Sequence, residues 1–262
     1  MISLRRRFHT FLDALSTAVL PAYLPKPETG FGKIYVKTNG ECKMQMNCDS
    51  AFLARQSIVD AMRSFEEKGF NHGSSGNISV REGGHIWVTP TGATSTMDPQ
   101  DMSLVSLEGE HLAGKTPSSE WRIHTEIMRA HPEAGAVVHS HADACVALSC
   151  LRKPLPPFHY MIASFGGSEV PCASYRVFGS DALAYEVVRA MGHHRACLMA
   201  SHGMVVWGRD LAHARLLAEK LETLARQYIL ACQIGTPALL SDVELMEVRE
   251  RYGFYGSQPM PR

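Results

Sequence analysis

The sequence has no excess of charge and no long apolar run. Its 26 lysines and arginines equal its 26 aspartates and glutamates. Neither a basic stripe nor an acidic tail is visible, which argues against a nucleic-acid or membrane surface. No apolar stretch reaches the roughly 18–20 residues that cross a bilayer. The seven cysteines include no C-x-x-C pair and indicate no secreted disulfide framework. We therefore expect a globular protein with reduced thiols in the cytoplasm.

Residues 1–47 differ in pattern from the rest of the chain. Arg5, Arg6 and Arg7 precede a weakly amphipathic stretch, and a segment containing proline and glycine follows. A basic, acid-poor start is compatible with a mitochondrial-type targeting peptide, although polar residues interrupt its apolar part. We interpret residues 1–47 as a poorly ordered extension, or as the result of an upstream start codon chosen in place of Met44 or Met46. Residues 48–262 are predicted to form one catalytic domain.

Helical and strand patterns alternate from residue 49 onward. Apolar periodicity and capping residues predict helices at 50–69, 121–130, 142–151 and 210–234, with a last helix after Ser241. Two alternating segments around Gly83-Gly84 predict a hairpin. Buried strands are predicted at 136–138 and within 197–206. The expected fold class is α/β, a single domain with a central, mostly antiparallel β-sheet flanked by helices.

Three histidines and one glutamate form a candidate metal site. His139 and His141 follow a short apolar strand, and side chains two residues apart on a strand point to the same side. His202 interrupts an apolar region directly before a glycine; taken alone, it is more simply a hydrogen-bonded core histidine. Glu120 stands at a helix start, where an acid is favoured by the helix dipole in any case. Together the four residues suit Zn²⁺, with Mn²⁺ or Co²⁺ as substitutes.

Three loops rich in glycine and small hydroxyl residues form a candidate anion site, at 73–77, 89–92 and 117–119. Each lies at the end of a predicted strand or helix, where free backbone amides favour an anion. None of the three matches the P-loop or the dinucleotide fingerprint, and each is equally compatible with an ordinary turn. No cluster of arginine or lysine accompanies them. We therefore expect a single phosphate bound by neutral donors.

Seven short motifs resemble the class II aldolase/adducin family. They are S-G-N-x-S at 75–79, T-P-T-G at 89–92, P-S-S-E-W at 117–121, V-V-H-S-H at 137–141, H-Y-M-I-A at 159–163, P-C-A-x-Y at 171–175 and S-H-G at 201–203. Their order and spacing are compatible with the family over residues 48–256. They are most similar to its bacterial fuculose-1-phosphate aldolase branch.

The resemblance implies a role for each matching residue. A divalent metal would be held by His139, His141 and His202, with Glu120 near the metal and acting as the acid/base. Tyr160 matches a tyrosine that reaches in from a neighbouring subunit as proton donor, and Phe178 and Tyr255 match pocket positions at the same junction. The family forms four-fold tetramers, so a homotetramer is expected. Phosphate would lie against Gly76, Asn77, Thr91, Gly92, Ser118 and Ser119.

The implied activity is reversible cleavage of a ketose 1-phosphate similar to fuculose 1-phosphate. The products would be a small aldehyde and dihydroxyacetone phosphate, formed through a metal-stabilised enediolate. In the condensation direction Glu120 would remove the proton beside the carbonyl, and we expect burial to raise the pKa of Glu120 for that task.

Other activities on the same scaffold are alternatives. A salvage aldolase for 5-deoxyribulose or 5-methylthioribulose 1-phosphate fits the same residues, because the pocket for the far end of the substrate is not legible in the sequence. Pentulose-phosphate 4-epimerases carry an aspartate where this chain has Glu120, whereas 3-oxo-acid phosphate decarboxylases keep the glutamate. A non-catalytic adducin-type module would lose the metal ligands, and their retention here speaks against it.

Overall fold

The structure is a computed structural model that describes residues 34–38, 41–45 and 48–253. The chain divides into two compact units, Met1–Gln45 and Met46–Arg262. In the first unit, strands β1 (Ile34–Thr38) and β2 (Glu41–Gln45) pair antiparallel. Most of the predicted extension over residues 1–47 lies outside the described residues, so its nature stays a prediction. Among the helices that the structure describes, none is long and apolar enough to span a membrane.

Eight strands of the second unit form one sheet. They are β3 (Asn77–Glu82), β4 (His85–Val88), β5 (Ser103–Ser106), β6 (His111–Ala113), β7 (Ala136–Ser140), β8 (Cys172–Ala173), β9 (Ala196–Met199) and β10 (Gly203–Gly208). Their order in the sheet is β6-β5-β4-β3-β7-β10-β9-β8. Neighbouring strands pair antiparallel except β8 and β9, which are parallel. The predicted α/β class with a mostly antiparallel sheet is confirmed.

Six helices cover the sheet in the described part of this unit. They are α1 (Cys48–Glu67), α2 (Trp121–Ala130), α3 (Asp143–Cys150), α4 (Asp181–Met191), α5 (Leu211–Ile234) and α6 (Asp242–Gly253). Five of them agree with the predicted positions to within about two residues. The last begins as predicted, because Ser241 and Glu244 exchange the hydrogen bonds of a capping box. Helix α4 was not predicted, although Ser180 caps it by accepting from the Leu183 amide.

Two apolar clusters lie on opposite sides of the sheet. One contains Phe65 of α1 and Leu221 of α5, and the other contains Ile127 of α2 and Val187 of α4. Strand β7 contributes to both, because alternate side chains face opposite sides. The same alternation places His139 on the α2 side of the sheet. The core thereby fixes the direction of the first predicted metal ligand.

The end of β7 and the turn between β9 and β10 meet at one edge of this core. His139 pairs with Val205 of β10, and His141 follows the end of β7 directly. The region predicted as one interrupted strand over 197–206 is a hairpin, and its turn carries His202 back towards His141. Gly203 permits the close approach, since a Cβ there would lie 2.5 Å from the Ser140 carbonyl oxygen.

Candidate active site and metal centre

The three predicted histidines form one compact cluster. Ring centroids are 4.8 Å apart for His139 and His141, 4.8 Å for His139 and His202, and 4.9 Å for His141 and His202. Each ring offers one nitrogen, and these nitrogens lie within 4.8 Å of one another. The strand end and the hairpin turn therefore bring together residues that are 63 positions apart in sequence (202 − 139).

Hydrogen bonding directs the nitrogens towards a common point. Nδ1 of His139 lies 2.8 Å from the Met204 carbonyl oxygen, and because a carbonyl only accepts, Nδ1 carries the proton. Nε2 of His139 is then the free ring nitrogen for a ligand, and it lies 3.0 Å from Nε2 of His141 and 3.1 Å from Glu120 Oε2. A cation bound here would be met by the nitrogens of both rings. This donor set fits a divalent metal, with a backbone carbonyl fixing the ligand tautomer as in many metal sites.

Glu120 completes the cluster from the start of α2. Its carboxylate is buried, with 6% of the residue exposed. Oε2 lies 3.1 Å from Nε2 of His139 and accepts from Asn77 Nδ2 over 3.0 Å. Oε1 lies 3.3 Å from Nε2 of His202 and has no hydrogen-bond partner in the described part of the chain. A buried carboxylate oxygen without a donor is a further sign that a cation belongs here.

The protonation equilibria of two of the three rings agree with ligand chemistry. Burial and the neighbouring His139 lower the pKa of His141 to about 3 and that of His202 to about 4. Both rings are therefore neutral at physiological pH, which is the state that binds a metal. Burial acts to lower the pKa of His139, but the charge and hydrogen bond of Glu120 raise it. Burial acts to raise the pKa of Glu120, as expected, but the charge and hydrogen bond of His139 outweigh burial and lower it. The expectation of a raised pKa was wrong for the protein alone, because it considered burial and not the adjacent imidazoles.

The predicted anion loops line a cavity of about 390 Å³ that opens beside the cluster. An isolated bridge between Pro90 and Pro117 holds two of the loops side by side. The amides of Thr91 and Ser118 donate to the Thr116 and Thr89 carbonyl oxygens, so these two amides are not free for an anion as the sequence suggested. The Ser118 hydroxyl accepts from the Glu120 amide and can still donate its own proton to a ligand. Glu120, His141 and His202 line this cavity. So do all six residues that were expected near phosphate, namely Gly76, Asn77, Thr91, Gly92, Ser118 and Ser119.

Of the three aromatic residues predicted near the active site, one lines the cavity beside the histidines, one lines another cavity, and one is not described. Phe178 lines the cavity and is 68% exposed. Tyr160 is 48% exposed and lines a second cavity beside α6, together with Arg251 and Tyr252. A single chain therefore does not bring Tyr160 to the histidines. Tyr255 lies outside the described residues.

Sequence reasoning missed several cavity residues. Tyr175 and Arg176 line the cavity next to Phe178. Arg176 is paired with Glu186 at 3.2 Å and is a positive charge that the loop analysis did not anticipate, because it comes from a different segment. Buried His124 was also missed, although it stands four residues after Glu120 and therefore one helical turn away.

One apparent nucleotide motif is excluded by the structure. Residues 109–116 read G-E-H-L-A-G-K-T, which has the spacing of a P-loop. A P-loop follows a strand and opens a helix, with its amides free to bind phosphate. Here His111–Ala113 is itself the edge strand β6, and α2 begins only at Trp121. The segment is a β-turn and edge strand with a coincidental spacing.

Comparisons with known proteins identify the family of this chain. Residues 56–229 match the family described as Class II Aldolase and Adducin N-terminal domain. A 5-methylthioribulose-1-phosphate/5-deoxyribulose-1-phosphate aldolase of Rhodospirillum rubrum is 40% identical over 208 residues, covering 79% of this chain and 94% of that protein. An L-fuculose phosphate aldolase of Escherichia coli is 39% identical over 206 residues, with coverages of 78% and 95%.

Solved structures give the same result for the fold. An L-fuculose 1-phosphate aldolase superposes with a TM-score of 0.75 at 30% identity, over 80% of this chain and 98% of the other. The L-fuculose-1-phosphate aldolase of Thermus thermophilus superposes with a TM-score of 0.62 at 30% identity, over 72% and 100%.

Proposed function

The chain belongs to the class II aldolase and adducin family and is an aldolase, and we propose that it reversibly cleaves a ketose 1-phosphate. The products are dihydroxyacetone phosphate and a small aldehyde. The observation that carries this proposal is the position of Glu120. Its carboxylate lies against two histidines of the cluster, at the inner end of a cavity that is also lined by the glycine and hydroxyl loops.

We propose that His139, His141 and His202 hold the metal, with Glu120 beside it. Zn²⁺ is our first candidate, because three imidazoles and a carboxylate suit it, and Mn²⁺ or Co²⁺ are substitutes. When bound, the ion supplies positive charge for the oxygens on which negative charge develops during cleavage, a contribution of several kcal/mol.

Glu120 has the location of a general base and acid. It is buried, it faces the cavity, and Asn77 holds Oε2 by a hydrogen bond. Oε1 has no such bond in the part of the chain that the structure describes, so Oε1 is the oxygen we assign to proton transfer. In condensation it removes the proton beside the substrate carbonyl, and in cleavage it returns that proton.

Neutral donors are proposed to bind the phosphate. Thr91, Ser118 and Ser119 contribute hydroxyl groups, and Gly76 and Gly92 let the backbone approach closely. Gly76 has a φ of +75°, and a Cβ there would lie 2.3 Å from Asn71 Oδ1. A side chain at this position would therefore be strained and would clash with the Asn71 side chain.

The proton donor is proposed to come from a second subunit. Tyr160 is half exposed and lines a cavity other than the active-site cavity of its own chain. This position fits a side chain that serves the active site of a neighbouring subunit in a homotetramer. Tyr255 is proposed to act at the same junction, and Phe178 to contact the aldehyde end of the substrate. A reducing, cytoplasmic location stays part of the proposal; Cys145, Cys150, Cys172, Cys197 and Cys232 are free thiols.

The test is direct cleavage of candidate substrates. Purified protein loaded with Zn²⁺, Mn²⁺ or Co²⁺ is incubated with L-fuculose, 5-deoxyribulose and 5-methylthioribulose 1-phosphates, and dihydroxyacetone phosphate is measured with a coupled dehydrogenase. We expect release from at least one ketose 1-phosphate, and the preferred one names the substrate. A Glu120→Gln protein is the matched negative control. Absence of release from the whole panel, with metal bound, would contradict the proposal.

A further inference from the structure

A path of hydrogen bonds runs from Glu120 into the protein interior. Asn77 Nδ2 donates to Glu120 Oε2 over 3.0 Å, and Asn77 Oδ1 lies 2.5 Å from Nε2 of His124. Nδ1 of His124 lies 2.8 Å from Oγ of Ser79. All four residues are buried, and His124 and Ser79 are fully so. Three hydrogen bonds therefore connect the carboxylate to the centre of the sheet.

The carboxylate fixes the direction of every bond in the path. An ionised carboxylate only accepts, so Asn77 must present its NH₂ group to Glu120 and its oxygen to His124. That oxygen requires a proton on Nε2 of His124, which leaves Nδ1 to accept from the Ser79 hydroxyl. The opposite tautomer would turn the Asn77 oxygen towards Glu120 and place two acceptors in contact. Burial, the charge of His139 and that of Glu120 together leave the pKa of His124 at about 3, so the ring is neutral as the path requires.

We propose that His124 is a positioning residue that holds the Glu120 carboxylate through Asn77, with Ser79 donating to Nδ1 of His124. The inference rests on the proposed function, since it concerns how the acid/base is held. Asn77 is the neutral donor on Glu120, and the Nε2–H of His124 anchors the other end of the Asn77 amide. Without that donor the Asn77 oxygen is buried and unpaired, and the amide can shift away from the carboxylate.

Two substitutions at residue 124 separate positioning from packing. His124→Leu fills the space but donates no hydrogen bond, whereas His124→Gln places an amide N–H near the former Nε2. For chains with equal metal content, we expect His124→Leu to lower kcat by about 10–100-fold with little change in KM. His124→Gln should recover most of that loss, and Ser79→Ala should show a smaller decrease than His124→Leu.

His131 provides a matched control. It is a buried histidine at the end of the same helix, stacked on Trp207 and without a bond to Asn77 or Glu120 in the described residues. His131→Leu should lower the melting temperature and leave kcat unchanged. If His124→Leu behaves in the same way, or if His124→Leu and His124→Gln lose equal activity, His124 is structural and the proposal is overturned.

A spectroscopic measurement tests the path without using activity. In protein labelled with ¹⁵N-histidine, the His124 signals are those that disappear in His124→Gln. We expect the Nε2–H tautomer at neutral pH, retained in Ser79→Ala because the Asn77 oxygen still requires a donor on Nε2. A predominant Nδ1–H tautomer would overturn the proposal. If the wild-type protein cleaves no ketose 1-phosphate, the proposed function fails, and the tautomer still decides whether the path exists.

Discussion

The inner and outer walls of the active-site cavity are built differently. The inner wall is His139, His141, His202 and Glu120, which stand on strand ends and a helix start and are largely buried. The outer wall is Tyr175, Arg176 and Phe178, which lie between β8 and α4 and are largely exposed. One chain completes the inner wall and leaves the outer wall open. We therefore expect metal binding and the acid/base role of Glu120 to depend on one chain, and the proton donor and substrate selection to depend on the assembly.

The largest expected effect comes from removing a ligand in the inner wall. His141→Ala should abolish bound metal and lower turnover by at least about 1,000-fold, because several kcal/mol of charge stabilisation are lost. Metal content by mass spectrometry and dihydroxyacetone phosphate release check this. His193→Ala, which changes an exposed histidine, is the control. Full metal and full turnover in His141→Ala would remove it from the ligand set.

The second prediction tests the acid/base role of Glu120 separately from metal binding. Glu120→Gln keeps the size of the side chain and should retain metal, while turnover falls by about 10²–10⁴-fold. Glu126→Gln on the same helix is the control. Near-normal turnover would show that another group transfers the proton, and 4-epimerase activity in the unaltered protein would place the chain in another branch of the family.

The third prediction concerns Tyr160, the proposed proton donor from a second subunit. Tyr160→Phe should lower turnover by about 10²-fold, the lower end for a general acid, with metal content unchanged. Co-expression of Tyr160→Phe with His141→Ala chains should give more activity than either parent, because some sites receive an intact tyrosine and intact histidines. Mixed tetramers of confirmed mass without any recovery would contradict a shared site.

A fourth prediction tests how closely the inner wall is packed. Gly203→Ala forces a Cβ to within 2.5 Å of the Ser140 carbonyl oxygen and 3.4 Å of the His139 and His141 rings. We expect a loss of about 1–3 kcal/mol in unfolding free energy and weaker metal binding. Gly84→Ala, where a Cβ would meet nothing within 4 Å, is the matched control. Equal behaviour of the two variants in chemical denaturation would contradict the packing argument.

The smallest effect is expected from the first unit. Removing residues 1–45, up to the end of β2, should leave kcat/KM and metal content within the error of measurement. The reason is that this segment lies outside the family match, which begins at residue 56. Insoluble or inactive protein would show that the segment contributes to folding.

The sequence predicted the inner wall better than the outer wall, for a physical reason. His139 and His141 were found because strand alternation and burial are local properties of the sequence, and His202 because a polar residue interrupted an apolar strand. Glu120 was included in the candidate metal site as an acid at a helix start, and its acid/base role came from the resemblance. Its lowered pKa was not foreseen, because that depends on imidazoles that lie far away in sequence.

The remaining misses depend on tertiary neighbours. Arg176 reaches the cavity from a segment after β8, and no local pattern marks it as part of the site. His124 is identified only by the atoms that it contacts, Asn77 Oδ1 and Ser79 Oγ. The proposed role of Tyr160 depends on a second chain, because no contact within one chain brings Tyr160 to the histidines. Periodicity thus predicts the helices and strands, and contacts between them decide which residues meet at the active site.

The most direct test of the central claim is a metal titration of the metal-free protein. Zn²⁺ is added in steps to wild-type and His141→Ala chains, and bound metal and dihydroxyacetone phosphate release are followed together. The account predicts that wild-type activity rises in proportion to bound metal and reaches a plateau at one ion per chain, while His141→Ala stays at background. Full turnover of the metal-free wild-type protein, or a plateau reached equally by His141→Ala, would contradict it.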